Sequence, residues 1–208
     1  MSDASPTRAV VLELKDEQRA MREGHVFLDE KCLLLAGEIL RELERHAALE
    51  HAMLSVHEAA LKSLQSAVAR HGLEDLQVYP ALDQSDATLV RETTSIMGVR
   101  LQRVTWRPST TAARPSVVAS PEGEACRRGF VALIESATRL AAVSGNLERL
   151  SFEYRRSVRR ARALQDVLLP ELDRAIHVIE GRLEELEQED AISMRRRAVP
   201  NVAGDIEV

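Results

Sequence analysis

At 208 residues, with 45% hydrophobic but only 3% aromatic side chains, the chain holds enough aliphatic material for a thin core and too little for a wide globule, so elongated helices are expected. Charged residues make up 29% with both signs interleaved, and a net charge of −5 gives no reason to expect nucleic acid or an anionic membrane as a global partner. No apolar run approaches a membrane span and the opening "MSDASPTR" has no signal-peptide core, so the chain reads as soluble and cytoplasmic, without direct membrane insertion.

The first element expected is one long helix within residues 1–71. Ser5 and Pro6 make a plausible cap and first helical position. Small or apolar residues then recur by threes and fours at Val11, Leu14, Met21, Leu28, Cys32, Leu35 and Ile39, with Gln18 and His25 filling gaps. After Leu43 the seam resumes through Ala47, Leu54, Leu61, Leu64 and Val68. Such a helix is about 95 Å long at 1.5 Å per residue, too long to bury its stripe without an equally long partner helix.

Residues 72–121 change character, with Gly72, Pro80, Gly98, Pro108, Pro115 and Pro121 breaking any helical period. "TLVRETTSI" and "VRLQRVTW" have the alternation of strands, and Gly98 lies between them, which predicts a β-hairpin preceded by a short helix. "RPSTTAARPSVVASPEG" reads as loop. A second long helix is expected over 122–197, with a disordered tail at 198–208. Its seam runs through Leu133, Ala137, Leu140, Ser144, Leu147, Ser151, Tyr154, Val158, Ala161, Gln165 and Leu168, then by two steps of four to Leu172 and Ile176, and on to Ile179, Leu183 and Leu186. The doubled step is a stutter straddling Pro170, and Ile39–Leu43–Ala47 shows a similar run of fours. The fold class is therefore mainly α: a long antiparallel two-helix coiled coil with a small mixed, β-hairpin-bearing insertion in the middle. The helix is expected to persist through Pro170 with a bend or a lost bond at the Asp166 carbonyl.

Catalytic signatures are absent. No phosphate-binding glycine motif and no H-E-x-x-H occurs, and no histidine has a Glu three residues before it. His46 and Glu50 stand four apart and read as a solvated pair, while His25 and His57 in the seam read as register-setting polar residues. No enzymatic activity, metal or cofactor is expected of this chain. The cysteines, Cys32 and Cys126, match no redox or metal spacing and read as thiols of a reducing compartment.

Charge is segregated along the second helix. Nine arginines face three acids between Arg127 and Arg162, whereas nine acids face two arginines from Ala163 to Asp190. Arg155, Arg156, Arg159 and Arg160 share a face. A basic DNA-binding helix would look similar, but the acidic total and the seam residues Tyr154, Val158 and Ala161 argue against it. A solvated arginine face and a surface for an acidic protein partner are the two remaining readings.

"PTR" at 6–8, with Lys15, Gly24, Leu28 and Lys31, resembles the opening of the D subunit of V-type and A-type ATPases. Arg159, Arg160, Ala163, Leu164, Val167, Pro170 and Leu172, followed by Leu183 with the acidic Glu185, Glu187, Glu189 and Asp190 and then Met194 with the basic Arg195 and Arg196, resemble that family's second signature. "SIMGVRLQRV" is similar to its middle insertion, so the resemblance spans essentially the whole chain. Departures are Arg162 in place of the family's usual Asn, Gln165 in place of Glu, Leu186 and Gln188 in place of arginines, Asp29 and Glu30 where the first helix is commonly basic, and Gln102 in place of the insertion's proline.

The resemblance implies a central rotor shaft whose coiled-coil termini enter a hexamer of A and B subunits. Those subunits carry the nucleotide sites, and shaft rotation couples ATP hydrolysis or synthesis to ion movement. It further implies an F subunit alongside the shaft, a C subunit (also called d) linking it to the membrane ring, and a cytoplasmic position peripheral to the membrane. The expected partner-contact residues are Arg155, Arg156, Arg159, Arg160, Arg162, Gln165, Asp166, Glu185, Glu187, Arg195 and Arg196. The alternative is a non-rotary coiled-coil scaffold or regulatory tether built on the same seams.

Overall fold

The computed structural model describes residues 7–79, 86–109 and 119–198. Helix α1 runs Arg8–Val78, strands β1 and β2 run Thr88–Ile96 and Val99–Arg107, helix α2 runs Pro121–Ala163, a π-helical turn covers Leu164–Leu168, and helix α3 runs Leu169–Ala198. The fold is mainly helical with one small antiparallel hairpin. The Ser5–Pro6 start, most of the loop expected after Arg107 and all but the first residue of the expected tail lie outside the described residues.

The described start of α1 is capped by Thr7, whose Oγ1 accepts the Val10 N–H at 3.4 Å. Gly72 interrupts α1 with φ 73°, a left-handed value that costs glycine nothing and any other residue strain, and helical bonding then resumes to Val78. At the hairpin the strands pair antiparallel from Thr88↔Arg107 to Ile96↔Val99. Met97 and Gly98 form the two-residue turn with φ 48° and 83°. Two positive φ values match the type I′ geometry that suits the right-handed twist of a hairpin. Ser120 caps α2 by accepting the Gly123 N–H at 3.0 Å, ahead of Pro121 at the first helical position.

The chain forms two compact units, a terminal one of Met1–Glu30 with Ser157–Val208 and an internal one of Lys31–Arg156. In the terminal unit, α1 and α3 run antiparallel: Arg8 meets Glu187 at 2.6 Å, Lys15 meets Glu180 at 2.7 Å, and Gln18 bonds Asp173. Val11, Ala161 and Ile176 are buried there. In the internal unit, α1 and α2 are also antiparallel, with Lys31 on Glu153 at 2.6 Å and Glu42 on Asn146 at 3.3 Å. Close approach is allowed by small residues: Ala60 and Ala67 are fully buried, and a Cβ added at Gly129 would come within 3.3 Å of the Ala60 backbone. The aliphatic core of this unit is Leu35, Val99, Leu101 and Leu150, flanked by Ile39, Ile96, Met97 and Tyr154, so the hairpin tip is part of it. Cys126 is buried and burial pushes its thiol pKa up, partly opposed by its bond to Ser63, so it stays protonated at neutral pH.

The seams differ from expectation at three places. On α1, Leu43, Leu54 and Leu61 are 48%, 53% and 41% exposed, while the inward positions are Leu35, Glu38, Glu42, Ala60 and Ala67. The run of fours at Ile39–Leu43–Ala47 is thus not a stutter but a hop from the inner stripe to a second, outer one. On α2 the most buried residues are Asn146, Leu150, Ser157 and Ala161, whereas Leu147, Ser151 and Tyr154 are half-buried. The internal stretch of α2 packs on β2 as well as on α1, which recentres its buried face. At Pro170 the helix continues, and the extra seam residue is taken up just upstream by the π turn, where the Leu169 N–H reaches the Leu164 carbonyl. The inward sequence becomes Ala161, Leu164, Leu169, Leu172, Ile176, leaving Gln165 and Leu168 exposed.

The Lys31–Glu153 pair has side chains only 16% and 19% exposed, whereas Arg8 and Glu187 are 82% and 57% exposed. Lys31→Ala is expected to lower stability by about 1–2 kcal/mol because Glu153 loses its charge-assisted bond in a half-buried place. Arg8→Ala is expected to leave the urea midpoint unchanged. Equal midpoints for the two variants would contradict this ranking.

Candidate partner-contact surface

The arginine run stands on α2. Arg155 and Arg156 close the internal unit; Arg159, Arg160 and Arg162 belong to the terminal one. All five are exposed. Arg156 lies 4.0 Å from Glu153, whereas Arg155, Arg159, Arg160 and Arg162 have no ion pair with a described residue. An arginine fork left in water and unneutralised remains available to a carboxylate elsewhere.

Gln165 and Asp166 lie in the π turn, where all but Leu164 of the five residues are exposed. A π turn widens the helix by one residue and turns these side chains away from α1. On α3, Glu185 is exposed, and Glu187 is engaged by Arg8 at 2.6 Å. Arg195 and Arg196 occupy the last helical turn, where positive charge suits the helix dipole, and both are exposed. The expected contact residues are therefore all surface groups, placed by one helix path and bound into no common pocket.

The internal unit also holds a groove of about 820 Å³ between the hairpin and the helices, lined by Glu38, Glu42, Arg103, Arg139 and Asn146 among others. Its buried acids are engaged: Glu38 bonds Arg41 at 2.6 Å, and Glu42 bonds Arg45 and Asn146. No group of three or more potential metal ligands occurs among the described residues. The His46–Glu50 pair is present at 3.7 Å on the α1 surface.

One structural group escaped sequence reasoning. Asn146 accepts the Gln102 N–H at 2.8 Å through Oδ1 and donates through Nδ2 to the Gln102 carbonyl at 3.0 Å. Gln102 faces Thr93 in the register, at a position whose backbone groups point away from β1, and Asn146 satisfies both. Arg149 adds a bond from Nε to the Arg100 carbonyl at 3.0 Å and one from Nη2 to Asn146 Oδ1 at 2.7 Å. The side chains of α2 thus close the outer edge of β2 as a third strand would. The available signal was an asparagine inside a long helix, a poor helix former with no other purpose there.

Comparison with known proteins gives a consistent picture. The family model described as the ATP synthase D subunit matches residues 10–197. The chain is 25% identical over 193 residues to a V-type ATP synthase D subunit of Thermotoga neapolitana, covering 92% of this chain and 95% of the relative. It is 27% identical over 195 residues to an A-type ATP synthase D subunit of Pyrococcus horikoshii, covering 92% and 91%. An A-type ATP synthase D subunit of Methanopyrus kandleri is 24% identical over 199 residues, covering 94% and 86%.

Proposed function

The chain belongs to the ATP synthase D-subunit family, and from that premise we propose that it is the central-stalk rotor component of a V/A-type rotary ATPase. The observation that carries this is the family match across 10–197, joined to antiparallel helix pairing in both units and a hairpin between the helices. Related chains of nearly the same length bear the D-subunit name in both V-type and A-type complexes.

The chain's part is mechanical. Nucleotide sites lie on the A and B subunits of the surrounding hexamer, and this chain supplies an asymmetric shaft that makes those sites inequivalent as it turns. Packed seams such as Val11–Ala161–Ile176 in one unit and Leu35–Leu150 in the other resist twisting, because close-packed interiors deform little under load. Exposed charges let the surface pass a stator without a deep apolar lock. The F subunit binds along the shaft and the C/d subunit couples it to the membrane ring. No helix among the described residues is long and apolar enough to cross a membrane, which suits a peripheral position.

In this reading the arginine run meets acidic hexamer surfaces, with Gln165, Asp166, Glu185, Glu187, Arg195 and Arg196 as further contacts. Replacing Arg155, Arg159, Arg160 and Arg162 together by glutamine is expected to weaken hexamer binding about tenfold, at roughly 0.2–1 kcal/mol per exposed charge. The affinity should also lose much of its salt dependence. The check is titration of the chain into reconstituted A and B subunits, with ATP hydrolysis read in parallel. Unchanged affinity and salt slope would remove the charge contacts; absence of any binding by the native chain would remove the rotor reading and leave the scaffold.

A further inference from the structure

Inside a regular α-helix every carbonyl accepts the N–H four residues on, and the π turn of the terminal unit breaks that rule twice. The Leu169 N–H, which α-helical bonding gives to the Gln165 carbonyl, goes to the Leu164 carbonyl instead. The next N–H is owed to the Asp166 carbonyl and is missing, because residue 170 is proline. Two consecutive carbonyls therefore lose the donors that a regular helix would give them. No side chain among the described residues takes over: the Arg174 Nε–H, one turn further on, goes to the Pro170 carbonyl at 3.1 Å. Gln165 and Asp166 are exposed, and so are Val167 and Leu168 at 49% and 40%, so water satisfies both carbonyls in the free chain and can be displaced by a better donor. The exposed Asp166 carboxylate makes no ion pair with a described residue, not even with Arg162 four residues before it.

We propose that the Gln165 and Asp166 main-chain carbonyls, with the Asp166 carboxylate beside them, form an acceptor site for the guanidinium of an arginine on the surrounding hexamer. The inference rests on the rotor reading and names the chemistry by which these two residues make their contact. Two neighbouring carbonyls suit the paired N–H groups of a guanidinium fork, whereas the ammonium of lysine is a point charge. Exposed Val167 and Leu168 offer aliphatic surface on which the stem of such an arginine lies. Pro170 then acts through the N–H it lacks and not through a break, since helix continues on both sides of it. Main-chain acceptors are fixed by the helix itself, so they hold a partner group in one place without the rotamer freedom of a long acidic side chain.

The test uses the full chain with reconstituted A and B subunits. Pro170→Ala restores one N–H, which recaptures one of the two carbonyls. It is expected to raise the thermal midpoint of the isolated chain while weakening hexamer binding about tenfold, the loss of one charge-assisted bond. Deleting Val167 from that variant removes the extra residue. The inward Ala161, Leu164, Leu169, Leu172 and Ile176 then stand at regular steps of three and four, both carbonyls are bonded, and affinity should fall further by a similar factor. N-methylalanine at position 170, introduced by ligation at Cys126, has neither the N–H nor the ring and should keep the native affinity. Equal affinity across the native chain and all variants, or a loss with N-methylalanine as large as with Pro170→Ala, would overturn the proposal and leave the rotor reading standing. Failure of the native chain to bind the hexamer would remove both.

Discussion

Leu150→Ala is expected to destabilise the internal unit by about 3 kcal/mol. The side chain is fully buried and packs with Leu35, Val99 and Leu101, so truncation removes apolar contact on helix and hairpin together and leaves a cavity between them. The chain contains a single tryptophan, Trp106, which sits on β2 and is 8% exposed. Its emission reports the hairpin, while far-ultraviolet circular dichroism reports the helices. Urea unfolding followed by both signals should show an earlier midpoint in each, with the tryptophan signal moving further. A loss under 1 kcal/mol would mean that the hairpin tip adds little to this core.

Asn146→Leu is expected to cost about 2 kcal/mol by a different route. The branched shape of the side chain is kept, but the Gln102 N–H and carbonyl lose their partner, and Glu42 loses one of its two. A buried polar group without a bond costs about 1–3 kcal/mol, and the exposed edge of β2 can recover part of this from water. Asn146→Asp should be no better: it can still accept the Gln102 N–H but cannot donate to its carbonyl, and it sets a second carboxylate beside Glu42. The expected signature is separation of the two transitions, with Trp106 becoming solvated at lower urea than the helices unfold. Coincident transitions at the native midpoint would show that β2 is held by its apolar residues alone. In the assembled complex the same variant presents a loosened hairpin on an intact helix pair, so any change in ATP hydrolysis is attributable to the hairpin.

The helices and the hairpin were legible because each is written in local chemistry. Long three-four spacing without proline requires helix, and Met97–Gly98 between two β-favouring runs requires a tight turn. The extra residue near Pro170 was also visible as a doubled step, although the turn that absorbs it lies at Leu164–Leu168 and not at the proline. The candidate contact residues were legible only as charge patterns: the structure finds them exposed, and exposure is a property that any charged surface shares.

What stayed hidden was direction. Two stripes on α1 satisfy the same helical period, one through Leu35, Glu42 and Ala60 and one through Leu40, Leu54 and Leu61. Periodicity measures the spacing of apolar residues but not which face has a neighbour, and the leucine-rich stripe looks the better seam. The packed hairpin tips the choice. It places Val99 and Leu101 against Leu35 and Leu150, and its bonded edge gives Asn146, and through it Glu42, a polar partner inside. Buried polar groups become acceptable only when such partners exist, and partners distant in the chain are decided by tertiary packing. The sequence alone therefore determined two long antiparallel helices, an intervening hairpin and membership in a rotor family. The tertiary structure alone decided which face of α1 is core and which is exposed.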